Sequence, residues 1–287
     1  MVLLLQYLSS RRGGQDDLDN LVRLLAPSAL SEDGKHTLDI EVSVAAADSI
    51  GLIAREGTIV KATDATRSAV KAGHRDLVRH IRTVVLLGEN NTADWGSQAG
   101  ARDLTNGLAW LLTIPEGRAP SRMETGAHSV KELEEADFGP RTGGGADDAS
   151  NWPIVNETRW GSFRRWACSL GFAWVDVLGR VIPDPTPVIR DELATVLPAR
   201  GEMEVHTFID ELALRVPVLD KGVYREHVLD HFVAPVDQGG RLTDALSMAL
   251  RRLEQEGKIT TADRGDAEKI ALFDGSTVSH VSKGAHR

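Results

Sequence analysis

Three times in this chain a helical stretch is cut by a glycine and followed at once by a strand-like run. The junctions are Ile50-Gly51-Leu52, Leu170-Gly171-Phe172 and Glu256-Gly257-Lys258. Glycine just past a helix end takes the left-handed backbone that closes the last turn and redirects the chain. The recurrence therefore predicts two or three small helical units, each finished by a hairpin, rather than a short-period solenoid.

The C-terminal unit is the plainest. His206 to Val216 places Phe208, Ile209, Leu212 and Leu214 at helical spacing, and Asp220 to Phe232 does so with Val223, Tyr224, Val228 and Leu229. Arg241 to Glu256 follows, with Leu242, Leu246, Ala249, Leu250 and Leu253 on one side. Lys258-Ile259-Thr260 and Ile270-Ala271-Leu272-Phe273 then read as two strands joined by a polar tip at 262–269. Three helices and a terminal hairpin are the plan of a winged helix-turn-helix, with Arg241 to Glu256 as its recognition helix.

The N-terminal stretch follows the same plan. Val2 to Leu8 and Asp16 to Leu25 read as helices, and a turn at Ser31-Glu32-Asp33-Gly34 leads to a third, about Leu38 to Arg55. Gly57 breaks the pattern before the β-branched Thr58-Ile59-Val60-Lys61. Gly73 to Leu87 and Leu104 to Leu112 add helices, with Trp95 and Trp110 as their core. Between the two ends, Arg159 to Leu170 carries Trp160, Phe163 and Trp166, all expected to be buried, and a hairpin turns at Leu178-Gly179. The stretch from Glu116 to Ser150, rich in Gly, Ala, Ser and acids, reads as a linker holding a short exposed helix at 129–136. The expected organisation is thus 1–114, an N-terminal winged-helix-like domain with extra helices; 115–150, a flexible acidic and Gly-rich linker; 151–200, a helix–hairpin–helix unit; and 201–287, a C-terminal winged-helix domain. The fold class is mainly α with small β-hairpins, as tandem winged helix-turn-helix domains.

With 41% hydrophobic and 26% charged residues the composition is that of a globular chain, which excludes wholesale disorder. The net charge of −9 argues against a protein that grips nucleic acid over its whole surface, though not against a local basic face. The single cysteine, Cys168, excludes an internal disulfide and a cysteine-rich zinc centre and fits a reducing cytoplasm. Met1 to Leu5 is too short a run for a signal peptide or a membrane span, so no membrane partner is expected.

The run Gly161-Ser162-Phe163-Arg164-Arg165-Trp166-Ala167, continued by Leu170-Gly171-Phe172 and Ile182-Pro183-Asp184-Pro185-Thr186, resembles the DpdG family, as do Leu21-Val22-Arg23-Leu24-Leu25 and Val216-Pro217-Val218-Leu219-Asp220. The resemblance covers most of the chain outside the linker. It implies membership of a bacterial Dpd system, an anti-phage restriction-modification apparatus that places a 7-deazaguanine derivative in DNA and restricts DNA lacking it. Helicase-like and nuclease-like subunits are the partners it implies, and it brings no catalytic residues.

No residue cluster points to an enzyme. His227 and His231, one helical turn apart, have zinc-binding spacing but lack the HExxH order and a third ligand, so no metal is expected. Gly143-Gly144-Gly145 lacks the Lys-Ser/Thr of a phosphate loop, and Cys168 lacks a motif partner, so neither catalysis nor a cofactor is expected. The candidate DNA contacts are Arg241, Thr243, Ser247, Arg251, Arg252, Lys258 and Lys269 in the C-terminal unit. Arg75, Arg79 and Arg82, beside His74 and His80, form a secondary basic face, and Arg159, Arg164 and Arg165 accompany Trp160 and Trp166. The first unit's third helix, with Asp39, Glu41 and Asp48, would repel DNA. Two functions are open at this point: a non-catalytic subunit that binds double-stranded DNA, or an adaptor (alternatively a transcriptional regulator) whose winged helices bind proteins. A continuous positive face favours the first, and a bare apolar patch the second.

Overall fold

The computed structural model describes residues 1–27, 35–96, 100–143, 150–235 and 239–284. The expected turn at 31–34 and the glycines Gly144 and Gly145 lie outside them. Helices and small antiparallel sheets make up the chain, which divides into two compact units, Met1–Thr92 and Ala93–Arg287.

The first unit runs α1 (Val2–Ser10), β1 (Gln15–Asp17), α2 (Leu18–Leu25), α3 (Lys35–Ser49), β2 (Ile53–Glu56), β3 (Ile59–Ala62), α4 (Asp64–Ala72) and α5 (His74–Leu86). Its antiparallel sheet has the order β1-β3-β2, over a core that includes Leu4, Leu8, Leu21, Val44, Leu52 and Val60. The third helix was expected to continue to Arg55. It stops at Ser49 instead, because Gly51 takes φ +79° and Ile53–Glu56 leaves as β2.

The second unit runs α6 (Arg102–Leu111), α7 (Val130–Phe138), α8 (Glu157–Ser169), β4 (Ala173–Val175), β5 (Val181–Pro183), α9 (Thr186–Val196), β6 (Glu202–Glu204), α10 (Val205–Arg215), α11 (Val223–Leu229), α12 (Asp244–Gln255), β7 (Ile259–Ala262), β8 (Ile270–Ala271), β9 (Thr277–Val278) and β10 (His280–Lys283). The division after Thr92 puts α6 and Trp110 here rather than in an N-terminal domain ending at 114.

The three glycine junctions have the same construction. Gly51, Gly171 and Gly257 have φ of +79°, +83° and +66°. The residue after each donates its N–H to the carbonyl five positions back: Leu52 to Ala47 at 2.9 Å, Phe172 to Ala167 at 2.9 Å and Lys258 to Leu253 at 2.8 Å. The glycine N–H itself bonds the carbonyl three back, completing the two-bond helix stop that a left-handed residue permits. The carbonyls of Leu52, Phe172 and Lys258 then accept from Thr63, Asp184 and Gly284, which return on the other arm of each hairpin.

Beyond the junctions, the sheets repeat too. In the C-terminal part the order is β6-β10-β7, so an early strand pairs with the last one, as β1 pairs with β3. In the middle part β4 pairs with β5, and the outer edge of β5 is met by Pro120, whose carbonyl accepts the Val181 N–H at 2.7 Å. Within the expected middle unit at 151–200, α8 packs on the preceding α6 and on β4, while α9 packs on α10 and α12.

That arrangement corrects the linker reading for residues 115–143. α7 is capped by the Ser129 hydroxyl and buries Val130, Leu133, Glu134 and Phe138, so it is not an exposed helix. The Trp110 indole donates to Asp137 at 2.8 Å, and Glu134 Oε1 accepts the Ile154 N–H at 2.6 Å. Glu134 and Asp137, two of the acids that gave this stretch a linker's composition, are thus structural. Trp166 also departs from expectation: Trp160 and Phe163 are buried and stack on each other, while Trp166 is half-exposed. The C-terminal hairpin was expected to pair 258–260 with 270–273. β7 pairs instead with β10, and β8 and β9 form a separate hairpin inserted between them.

Glu134 makes a pH-dependent prediction. Its Oε2 is buried without a partner, and burial pushes the carboxyl well above its ordinary range, opposed by the Ile154 N–H and the Arg141 charge. A raised folded-state pKa means that Glu134's contribution is fully present below the ordinary carboxylate pKa and is lost as pH rises through the raised value. Glu134→Gln is therefore expected to match wild type near pH ~4 and to be the more stable protein at pH ~8. Urea midpoints at the two pH values check this, and equal midpoints at the higher pH would show that ionising Glu134 costs nothing.

Candidate nucleic-acid interface

Each of the three hairpins is preceded by a helix, α3, α8 or α12, and the outward faces of those helices differ in charge. On α3 the exposed residues include Glu41, Val42, Ala45 and Asp48.

On α12 most candidate contacts are already committed within the chain. Thr243 caps the helix, accepting the Leu246 N–H while its own N–H and hydroxyl donate to Asp220 at 2.7 and 2.8 Å. Ser247, expected on the DNA side, is fully buried, and its hydroxyl accepts the Phe273 N–H at 3.2 Å. That burial corrects the expectation, because the side chain holds the inserted hairpin and faces no solvent. Arg241 pairs with Asp244 at 2.6 Å, and Arg251 with Glu254 at 3.0 Å and Asp274 at 3.2 Å. Arg252 pairs with Asp184, and Lys269 with Asp263. Lys258 is exposed and, among the described residues, has no carboxylate partner. Phosphates would have to displace a local carboxylate at every other cation of this set, which weakens the counterion release that drives such binding.

The secondary basic face is graded along α5: Arg75 is exposed, Arg79 half-buried and Arg82 buried, and each is engaged within the chain. His80 Nε2 lies 3.1 Å from the Thr66 hydroxyl, and burial lowers its pKa.

The outward face of α8 is of another kind. Thr158, Ser162, Arg165 and Ser169, at spacings of four, three and four, are small or basic. Arg165 is exposed, with Arg164 and Trp166 half-buried on its two flanks. Arg165 donates to Ser162 at 3.3 Å, and neither Arg164 nor Arg165 has a carboxylate partner among the described residues. Burial raises the pKa of Asp103, opposed by the Leu104 N–H and by the charge of Arg159, one turn earlier on α8. Beyond α8, the β4–β5 hairpin exposes Trp174, Val175, Val177 and Leu178, the last two by 101% and 72%. Its tip is tightly held: the Asp176 carboxylate accepts the Leu178 and Arg180 N–H groups and pairs with the Arg180 guanidinium at 2.7 Å.

A family model for DpdG-like proteins matches residues 1–267. The chain belongs to the DpdG-like family. Searches of curated proteins and of solved structures gave no match. In this DpdG-like chain the paired histidines are packed against aromatic rings: His231 stacks on Trp95 at 3.9 Å, His227 meets the same ring edge-on, and His231 Nδ1 lies 2.8 Å from the His227 carbonyl. Burial lowers the His227 pKa, helped by the nearby Arg102 charge. Cys168 is half-buried, with its thiol pKa raised by burial, the reverse of what an activated nucleophile needs. No helix of the described residues is long and apolar enough to cross a membrane. Sequence reasoning missed the inward role of Asp220 and the pairing of Arg264 with Glu202, both made between residues far apart in the chain.

Proposed function

We propose that this chain is a non-catalytic component of a Dpd DNA-modification and restriction system, built from tandem winged helices and engaging duplex DNA together with partner subunits. The observation that carries this reading is the repeated order of helices, glycine stop and hairpin, with an early segment pairing against the last strand each time. A winged helix presents its third helix and wing on one side, the arrangement that serves DNA binding. Family membership supports the Dpd context. An adaptor reading is favoured by one specific observation, the exposed acids Glu41 and Asp48 on α3, which would repel phosphates.

The experiment is co-purification of the tagged chain with the other products of its gene cluster, with and without nuclease treatment, alongside anisotropy with labelled duplex. Co-purification with a subunit together with duplex binding at ~50 mM salt supports the proposal. Nuclease-insensitive co-purification without any duplex binding selects the adaptor.

A further inference from the structure

We infer that the duplex-binding surface is on the middle unit, formed by α8 and the apolar tip of the β4–β5 hairpin, and not on the C-terminal unit. This rests on the reading above that the chain engages duplex DNA. Three observations converge on it.

First, α8 carries two arginines, Arg164 and Arg165, that have no carboxylate partner among the described residues, and its only acid is Glu157 at the first turn. On α3 the acids Glu41 and Asp48 are exposed, and on α12 Asp244, Glu254, Asp274 and Asp184 neutralise the arginines. Second, the rest of the α8 face is Thr158, Gly161, Ser162 and Ser169, side chains small enough for the helix backbone to come close to a groove floor. Close approach is what brings a recognition helix within reach of base edges. Third, the hairpin that follows projects Val177 and Leu178 from a tip held by the Asp176 carboxylate. Apolar side chains on a rigid projection are the type that nucleic-acid-binding proteins insert at base steps in the minor groove.

Charge selects the occupant. The tip's own acid, Asp176, is spent on Arg180, and on α8 Arg164 and Arg165 have no carboxylate partner among the described residues. A unit that combines guanidinium groups without carboxylate partners and exposed apolar side chains fits a polyanion with unstackable bases. With Arg164 and Arg165 as the available phosphate contacts, log K is expected to fall with log salt at a slope of about −2, at roughly 0.9 per contact.

The test is fluorescence anisotropy with a labelled mixed-sequence duplex of about 24 base pairs at ~50 mM salt, long enough for a helix and its wing. Arg164→Glu/Arg165→Glu is expected to weaken binding by about tenfold or more, with an unchanged melting temperature because the side chains are not in the core. Val177→Ser/Leu178→Ser is expected to weaken it several-fold, again without loss of stability. Arg251→Gln/Arg252→Gln is expected to bind like wild type. If that last variant loses binding while Arg164→Glu/Arg165→Glu keeps it, the inference is overturned and duplex engagement stands. If wild type binds no duplex, the functional reading falls as well. If Arg164→Glu/Arg165→Glu keeps full duplex affinity but no longer captures a co-expressed subunit, the face is a protein interface and the inference is wrong.

Discussion

Trp110→Ala is expected to destabilise the protein by about 3–5 kcal/mol, the cost of deleting a large aromatic side chain from a closed core. Trp110 is fully buried on α6, and its indole N–H donates to Asp137 on α7 at 2.8 Å. Truncation opens a cavity and leaves the Asp137 carboxylate, already raised by burial, without its strongest opposing bond. Trp110→Phe separates the two effects: the ring is largely kept, only the hydrogen bond is lost, and about 1–3 kcal/mol is expected. Because Asp137 has a raised folded-state pKa, the deficit of Trp110→Phe should grow as pH rises above the ordinary carboxylate range and shrink below it. Urea denaturation at two pH values reads this directly. A Trp110→Ala loss under ~1 kcal/mol, far below the range for a buried aromatic, would mean that α7 is not part of the cooperative fold.

A comparable loss, about 3–5 kcal/mol, is expected from Asp220→Ala, because it breaks a buried ion pair from one side. Asp220 and Arg225 are both almost fully buried, 3.6 Å apart, and the other carboxylate beside Arg225, Glu226, is largely exposed. The same aspartate accepts both the N–H and the hydroxyl of Thr243, the residue that caps α12. Its removal strands a guanidinium and loosens the start of that helix together. The double variant Asp220→Ala/Arg225→Met should recover most of the loss, since an apolar stem without a charge has nothing left to compensate. If the double variant is no more stable than Asp220→Ala, the cost lies in the α12 cap rather than in the stranded charge.

The two variants also mark where reading the sequence stops. The C-terminal helices were legible to within a few residues because their signals are local: apolar side chains at three- and four-residue spacing and a glycine stop at 257. The acidic segment at 115–143 was misread because composition reports average polarity, whereas burial depends on partners. Glu134 and Asp137 count as solvated charges until Ile154 and Trp110 are brought to them. Trp166 was misplaced for a related reason: residues at i, i+3 and i+6 are spread over about 120° of the helix circumference, and only packing decides which end of a broad aromatic face is covered.

For the candidate interface the division is sharper. The sequence by itself determined that arginines lie along α8 and α12, that glycines end those helices and that hairpins follow, since each depends on residues within one or two turns of the chain. Only the tertiary structure decided which arginines are available. Arg252 meets Asp184 across 68 positions and Arg251 meets Asp274 across 23, partners that no local window shows, whereas Arg241–Asp244 and Arg251–Glu254 each lie within one helical turn. It likewise decided that Ser247 faces inward and that Arg164 and Arg165 keep no carboxylate partner among the described residues. The physical reason is that charge compensation and burial are set by distance in space, while spacing in sequence fixes only direction within a helix.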